Sequence, residues 1–400
     1  MSEAATQASG PQPLAGITVV EFTHMVMGPT VGHILAGLGA KIVRVEAMGG
    51  DRTRRLLGSG SGYFPMYNRG KQSICLDLKS DEGLSVAKDL IDKADVLVEN
   101  FRPGALNRLG LDYESCASRN PDLIYCSEKG FLPGPYENRT ALDEVAQMMG
   151  GLAYMTGQPG KPTRAGASVI DVTGGMFGVI GILAALEQRH RTGEGQKVTA
   201  SLFETTIYLV GQHMAQYAVT GTPAAPMPAR VSAWAVYDVF ETKDEPVFIG
   251  VVTDALWEKF CKLFGLDDLW ANQAWRENNA RVMARDQIIP QIRALIGTMT
   301  SAEVIAKLDG SGLPFAPIGK PEDMFDDPHL AQGGLEDVTL DNGTKVRLPT
   351  IPLEMDGKRI GSPQTLPKPG EDARAVLAAL GYDTAHIETL IKSGAVGESE

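Results

Sequence analysis

From residue 14 onward the chain alternates short apolar runs with segments of helical period. The runs ITVVEF (17–22), KIVRVEA (41–47), SICLDL (73–78), DVLVENF (95–101) and LIYCSEKGF (123–131) are rich in Val and Ile and predict buried strands. Between the first two, PTVGHILAGLGA (29–40) predicts a helix ending near Gly39. In DEGLSVAKDLIDKA (81–94), Asp81 can cap the first turn, while Leu84, Val86, Ala87, Leu90 and Ile91 share one face. Strand, helix, strand repetition predicts an α/β fold with a Rossmann-like parallel sheet, which binds ligands at the carboxyl ends of its strands.

The pattern changes after about residue 220. TGTPAAPMPAR (220–230) reads as a linker, and WAVYDVFETKDEPVFIGVV (234–252) as a hairpin turning at Lys243–Glu245. Helical segments follow to about residue 307, and the amphipathic EDARAVLAALG and HIETLIKSG lie in the tail. The expected organisation is a large Rossmann-like domain over 14–224, completed by 331–395, and a smaller α+β domain over 225–330.

Composition narrows the function. The 400 residues are 43% hydrophobic and 22% charged, an ordinary globular balance, and the length favours two domains. A net charge of -12 argues against nucleic acid or an anionic membrane as the main partner. Cys75, Cys116, Cys126 and Cys261 are scattered without C-x-x-C spacing, which predicts free thiols rather than disulfides or a zinc site. The polar start, MSEAATQASGPQP, has no apolar core of a leader peptide, and no apolar run reads as a membrane span. The expectation is a cytoplasmic protein.

Several site motifs are missing. EFTHMVMGPT follows the first strand where a dinucleotide fold carries G-x-G-x-x-G, and GQPGKP lacks the spacing and hydroxyl of a phosphate-binding loop. GSGSG (58–62) places Gly60 where a nucleophile elbow carries serine, so it reads as a mobile loop over a site. His24, at the end of the first strand, reads as structural.

One acid stands out. Asp171, in SVIDVTGG (168–175), opens a long apolar, glycine-rich helix with Arg164 and Glu187 as its flanking charges. A carboxylate there can cap the helix, or it can face a cleft as a base or nucleophile. The residues alone leave both roles open. The backbone amides near Gly174 and Gly175 are candidate donors to a developing oxyanion, with helix packing as their alternative role.

Five ordered blocks between about residues 14 and 390 carry a resemblance: LAGLGAKIVRVEAMGGDRTR, NRGKQSICLDLKSDEG, DVLVENFRPGALNRLGL, VAQMMGGLAYMTG and GILAALEQRHRTGEGQKV. Together they resemble the family III CoA-transferases. The resemblance implies an open-ring subunit of a Rossmann-like large domain and a smaller domain, two of which interlock as a homodimer. It also implies that Asp171 is the nucleophile, that CoA and acyl-CoA are substrates, and that no cofactor is permanently bound and no metal is used. The implied reaction moves CoA from an acyl-CoA donor to a carboxylic acid through aspartyl anhydride and aspartyl-CoA thioester intermediates.

The family's CoA-binding segments fall on Val26 and Met27, on Leu76, Asp77, Leu78 and Lys79, on Asn100, Phe101, Arg102 and Arg108, and on Thr140, Ala141, Leu142 and Asp143. Arg102 and Arg108 suit the phosphates. Val26, and Leu142–Asp143, depart from the formyl-CoA enzyme's glutamine and Tyr–Glu pair, and GVVTDALW lacks its glycine-rich lid. These departures point to an acid larger than formate or oxalate, such as a dicarboxylate with succinyl-CoA as donor, with Arg139 or Arg164 as carboxylate partner. Two rival readings remain at this stage. A racemase of the same fold would need a histidine where Leu142 stands and a second acid, for which Asp254 is the candidate. A non-catalytic CoA-binding subunit of a heteromer would be expected to have lost Asp171.

Overall fold

The computed structural model describes residues 10–230, 232–361 and 365–399. Residues 1–9, most of the polar start in which no leader was read, lie outside them. The chain divides into two compact units, one of residues 1–226 with 328–400 and the other of residues 227–327.

In the first unit the apolar runs become β1 (Thr18–Phe22), β2 (Lys41–Glu46), β3 (Gln72–Leu76), β4 (Val96–Glu99), β5 (Ile124–Lys129) and β6 (Gln196–Ser201). They form one sheet in the order β3-β2-β1-β4-β5-β6, every neighbouring pair parallel. The short strand Val396–Gly397 adds to the outer edge of β3, antiparallel. Strand order reverses between β1 and β4, which opens a crevice at their carboxyl ends.

Both sheet faces are covered, so the strands read as continuous apolar runs rather than alternating ones. On one face Val86, Leu90 and Ile91 pack with Val376, Leu377 and Ile387 from the C-terminal helices Ala373–Leu380 and Thr384–Lys392. On the other lie the first helix, Met27–Gly37, and the long helix, Val169–Thr192. These two helices approach closely because a Cβ on Gly175 would stand 2.7 Å from the Met27 carbonyl oxygen. Contrary to the sequence expectation, the long helix is apolar enough to cross a membrane by length and composition, with a window of mean hydropathy 2.0. A core helix meets the same criterion, and this one is packed on β5, β6 and the first helix.

A buried ionic cluster fixes the first helix beside β1. Glu21, fully buried, receives Arg44 at 3.0 Å and Lys71 at 2.8 Å, and Lys71 also donates to the Pro29 carbonyl at 2.9 Å. Burial pulls the Lys71 ammonium down to about 8, against the opposing pull of Glu21.

The second unit carries β7 (Tyr237–Phe240), β8 (Val247–Gly250) and β9 (Phe315–Pro317) as an antiparallel sheet. Its core joins Phe240, Val247 and Ile249 to Trp257, Phe260, Ile288 and Ile292. The hairpin loop between β7 and β8 contains the expected turn residues. GSGSG, expected as a loop, forms a short 3-10 helix, Gly58–Gly62. All four cysteines are free and buried.

Candidate active site

The crevice at the strand ends contains a cavity of about 210 Å³ lined by Asp171, Asp143, Met27, Asn100, Glu128 and Lys129, among others. A larger depression of about 740 Å³ beside Lys71, Leu366 and Asp372 holds none of the predicted site residues. After β1 the chain turns sharply at Met25, whose φ of 61° is a left-handed conformation rare outside glycine. That turn delivers His24, Met25 and Met27 to the cavity. Asn100, just past β4, holds the turn in place: it accepts from the His24 amide at 2.9 Å and donates to the His24 carbonyl at 2.8 Å. His24 stacks on Phe101 at 5.4 Å, and burial lowers its pKa, so its ring is neutral at pH 7.

Asp171 is not the helix cap. The long helix begins after Ser168, and Asp171 is its third residue, in the first turn. The capping carboxylate comes from another element: Asp143, buried at the start of the helix Asp143–Met149, accepts from the amides of Ile170 at 2.8 Å and Asp171 at 3.1 Å. Gln147 donates to Asp143 and accepts from the Ala165 amide at 2.9 Å, which fixes the approach to the helix. With the helix end already satisfied by Asp143, Asp171 is not held ionised. Burial, then the charges of Asp143 and Glu144, raise its pKa to about 7. Its charge also helps burial to raise Tyr67.

A second correction concerns Gly174 and Gly175. Both lie inside the long helix, where amides bond to carbonyls one turn back, so their role is close packing. The opening amides of the first helix, at Met27 and Gly28, lack helical acceptors, and Met27 lines the cavity.

Of the residues predicted to hold CoA, Met27, Asn100, Ala141, Leu142 and Asp143 line the cavity with Asp171. Val26 is buried at the start of the first helix, and Thr140 is exposed just before Ala141. Arg102 lines an adjoining cleft with Lys197, and Lys129 borders both cavity and cleft. Phe101 packs against His24, while Arg108 is exposed on the short helix Asn107–Leu109. Leu76, Asp77, Leu78 and Lys79 stand at the end of β3, two strands away from β1, and do not line the cavity. Arg164 pairs with Glu144 at 3.1 Å, and Arg139 stacks over Tyr136 at 5.1 Å. Asp254, in the second unit, pairs with Arg281 at 2.6 Å.

Sequence reading missed Tyr63, Glu128 and Glu144 as cavity residues. Glu128 carried a signal: it is one of a pair of charged residues closing a buried strand, at the end of a parallel sheet where ligands bind.

The fold and site define an α/β protein of Rossmann-like architecture with a buried carboxyl, Asp171, in a cavity at its switch point. Comparison with known proteins makes this specific: the profile of CoA-transferase family III matches residues 14–373, and the chain belongs to that family. It is 33% identical to the succinate–glutarate CoA-transferase of Agrobacterium fabrum, over 92% of this chain and 96% of that one. It is 34% identical to the acetyl-CoA:oxalate CoA-transferase of Acetobacter aceti, over 94% and 98%. A CAIB/BAIF family protein from Brucella suis superposes with a TM-score of 0.82 at 32% identity, covering 92% of this chain and all of the other. The protein is thus an acyl-CoA:carboxylate CoA-transferase.

Proposed function

We propose that Asp171 carries the acyl group and then CoA during transfer, and that the acceptor is a dicarboxylic acid. The observation that supports this most is the position of Asp171 beside the opening of the first helix, in a cavity large enough for an acyl chain of a few carbons. Its ionised carboxylate attacks the donor thioester carbonyl, and the opening amides of the first helix, at Met27 and Gly28, are the donors we propose for the tetrahedral oxyanion. Collapse breaks the carbon–sulfur bond and gives a mixed anhydride and CoA thiolate. The thiolate attacks the aspartyl carbonyl, forming aspartyl-CoA and releasing the donor carboxylate. The acceptor carboxylate then attacks aspartyl-CoA, and the thiolate returns to the acceptor's carbonyl, restoring Asp171. One thioester is exchanged for another, so the cycle needs no net proton.

The acids in several relatives' names, glutarate, oxalate and mesaconate, support a dicarboxylate. They do not support the expectation that oxalate is too small, since the oxalate enzyme is as similar as the glutarate one. Arg102 and Lys197 are the cations proposed to meet the CoA phosphates; they line a cleft next to the cavity that also carries Glu99, Asp112 and Glu114, with Arg108 nearby in sequence. We assign the protein to the cytoplasm and to a homodimer; the apolar residues exposed on the long helix support the second point. Crossing succinyl-CoA and acetyl-CoA with oxalate, succinate, glutarate and mesaconate, and with the monocarboxylic acids propanoate, butanoate and pentanoate, tests the acceptor. New CoA esters of the dicarboxylates support the reading, and transfer confined to monocarboxylic acids overturns it.

A further inference from the structure

Glu128 is an acid that the transfer chemistry does not use. It closes β5, is 2% exposed, and lines the same cavity as Asp171. Its Oε1 lies where a Cβ on Gly178 would come within 2.0 Å, so the long helix is notched at that glycine to admit the carboxyl. Gly178 is two turns beyond Asp171 on the same helix face, about 10 Å further along the helix by its rise. Cys126 Sγ donates to Oε1 at 3.3 Å, and Oε2 has no hydrogen-bond partner.

A buried carboxyl oxygen without a partner is costly unless something in the working protein satisfies it. The charged neighbours do not. Lys129, the adjacent cation, is held by Glu99 at 2.6 Å and by the Phe101 carbonyl at 2.8 Å. Glu99 and Asp171 are acids, His24 is neutral, and the first helix brings the apolar Val31 toward Gly178. We propose that Glu128 sets acyl specificity: its carboxylic acid hydrogen-bonds to an oxygen that the acyl chain carries away from the reacting carbonyl. This deepens the proposed function and rests on the carrier reading of Asp171 for the position of the acyl chain. Burial, Glu99 and Asp171 push the Glu128 carboxyl up to about 8, so at neutral pH it is an O–H donor. The matching ligand chemistry is a hydrogen-bond acceptor, either a distal carboxylate or a distal hydroxyl or carbonyl. An alkyl terminus leaves the donor unsatisfied, and such a mismatch discriminates more strongly than added apolar contact does.

Binding measures this without requiring transfer. Full-length protein is titrated calorimetrically with succinyl-, glutaryl- and adipyl-CoA, each against the alkanoyl-CoA of equal chain length, and with 5-hydroxypentanoyl-CoA. The wild type should prefer an oxygenated member of at least one pair by about tenfold, as expected for a buried hydrogen bond. Glu128→Leu should bring that pair to near equality, and Glu128→Gln, which keeps a donor, should retain most of the preference. Above about pH 8 the wild-type preference for the dicarboxylate ester should fall, while that of Glu128→Gln stays level. The pH series keeps the test decisive if Glu128→Leu fails to fold. A wild type with no preference in any pair overturns the proposal, as does a preference that survives Glu128→Leu. Preference for 5-hydroxypentanoyl-CoA over both glutaryl-CoA and pentanoyl-CoA assigns a neutral oxygen rather than a carboxylate. That outcome retains the role of Glu128 and rejects the dicarboxylate acceptor.

Discussion

At the residue scale the decisive feature is that Asp171 and Asp143 divide two tasks that sequence assigned to one side chain. Asp143 caps the long helix, and Asp171 is left in a partly buried, acid-rich cavity with its pKa raised to about 7. As the proposed nucleophile, Asp171 must be ionised, so the rate of the first acylation should rise with pH through about 7, as read by single-turnover release of CoA thiol. The same shift sets a stability signature. A carboxyl whose folded pKa exceeds its unfolded value favours folding at low pH, and that contribution is lost as pH rises through about 7. Asp171→Asn should therefore raise Tm at pH 8 and give little or no gain at pH 4, checked by calorimetry at the two pH values. From SVIDVTGG one could read an acid at a helix mouth. The partner that takes over the cap is 28 residues earlier and on another helix, out of reach of local pattern.

At the element scale, the long helix is placed by what its glycines admit. Gly178→Ala would drive a methyl into Glu128 Oε1 and should destabilise the fold by about 1–3 kcal/mol. Urea unfolding measures it, with Gly211→Ala, which meets open space, as the control. Asp143→Ala removes the cap of this helix and should cost about 1–2 kcal/mol. It also deletes a charge beside Asp171, so the acid limb of the acylation profile should move below pH 7. A change in stability with an unmoved limb would leave Asp143 a cap only. The helices and strands themselves were legible, because buried parallel strands read as unbroken Val- and Ile-rich runs. The 3-10 turn at Gly58–Gly62 was not, since glycine and serine carry little local preference.

At the scale of the whole molecule, alternation of strand and helix conveyed the parallel sheet, and the strand order then placed a cavity at its switch point. What alternation could not convey is which strand ends meet there. Leu76–Lys79 and Asn100 both follow buried strands in the sequence, yet only Asn100 adjoins the crossover. The long helix also exposes Met176, Ile180 and Leu183 at spacings of one turn. Light scattering should give the mass of a dimer, and Ile180→Asp should shift it toward monomer. The central claim, that Asp171 is the covalent carrier, is tested most directly by intact mass spectrometry after mixing the protein with succinyl-CoA alone. The account predicts a CoA adduct on Asp171 that disappears on adding acceptor acid and never forms in Asp171→Ala. An adduct on another residue, or CoA transfer by Asp171→Ala at the wild-type rate, would contradict it.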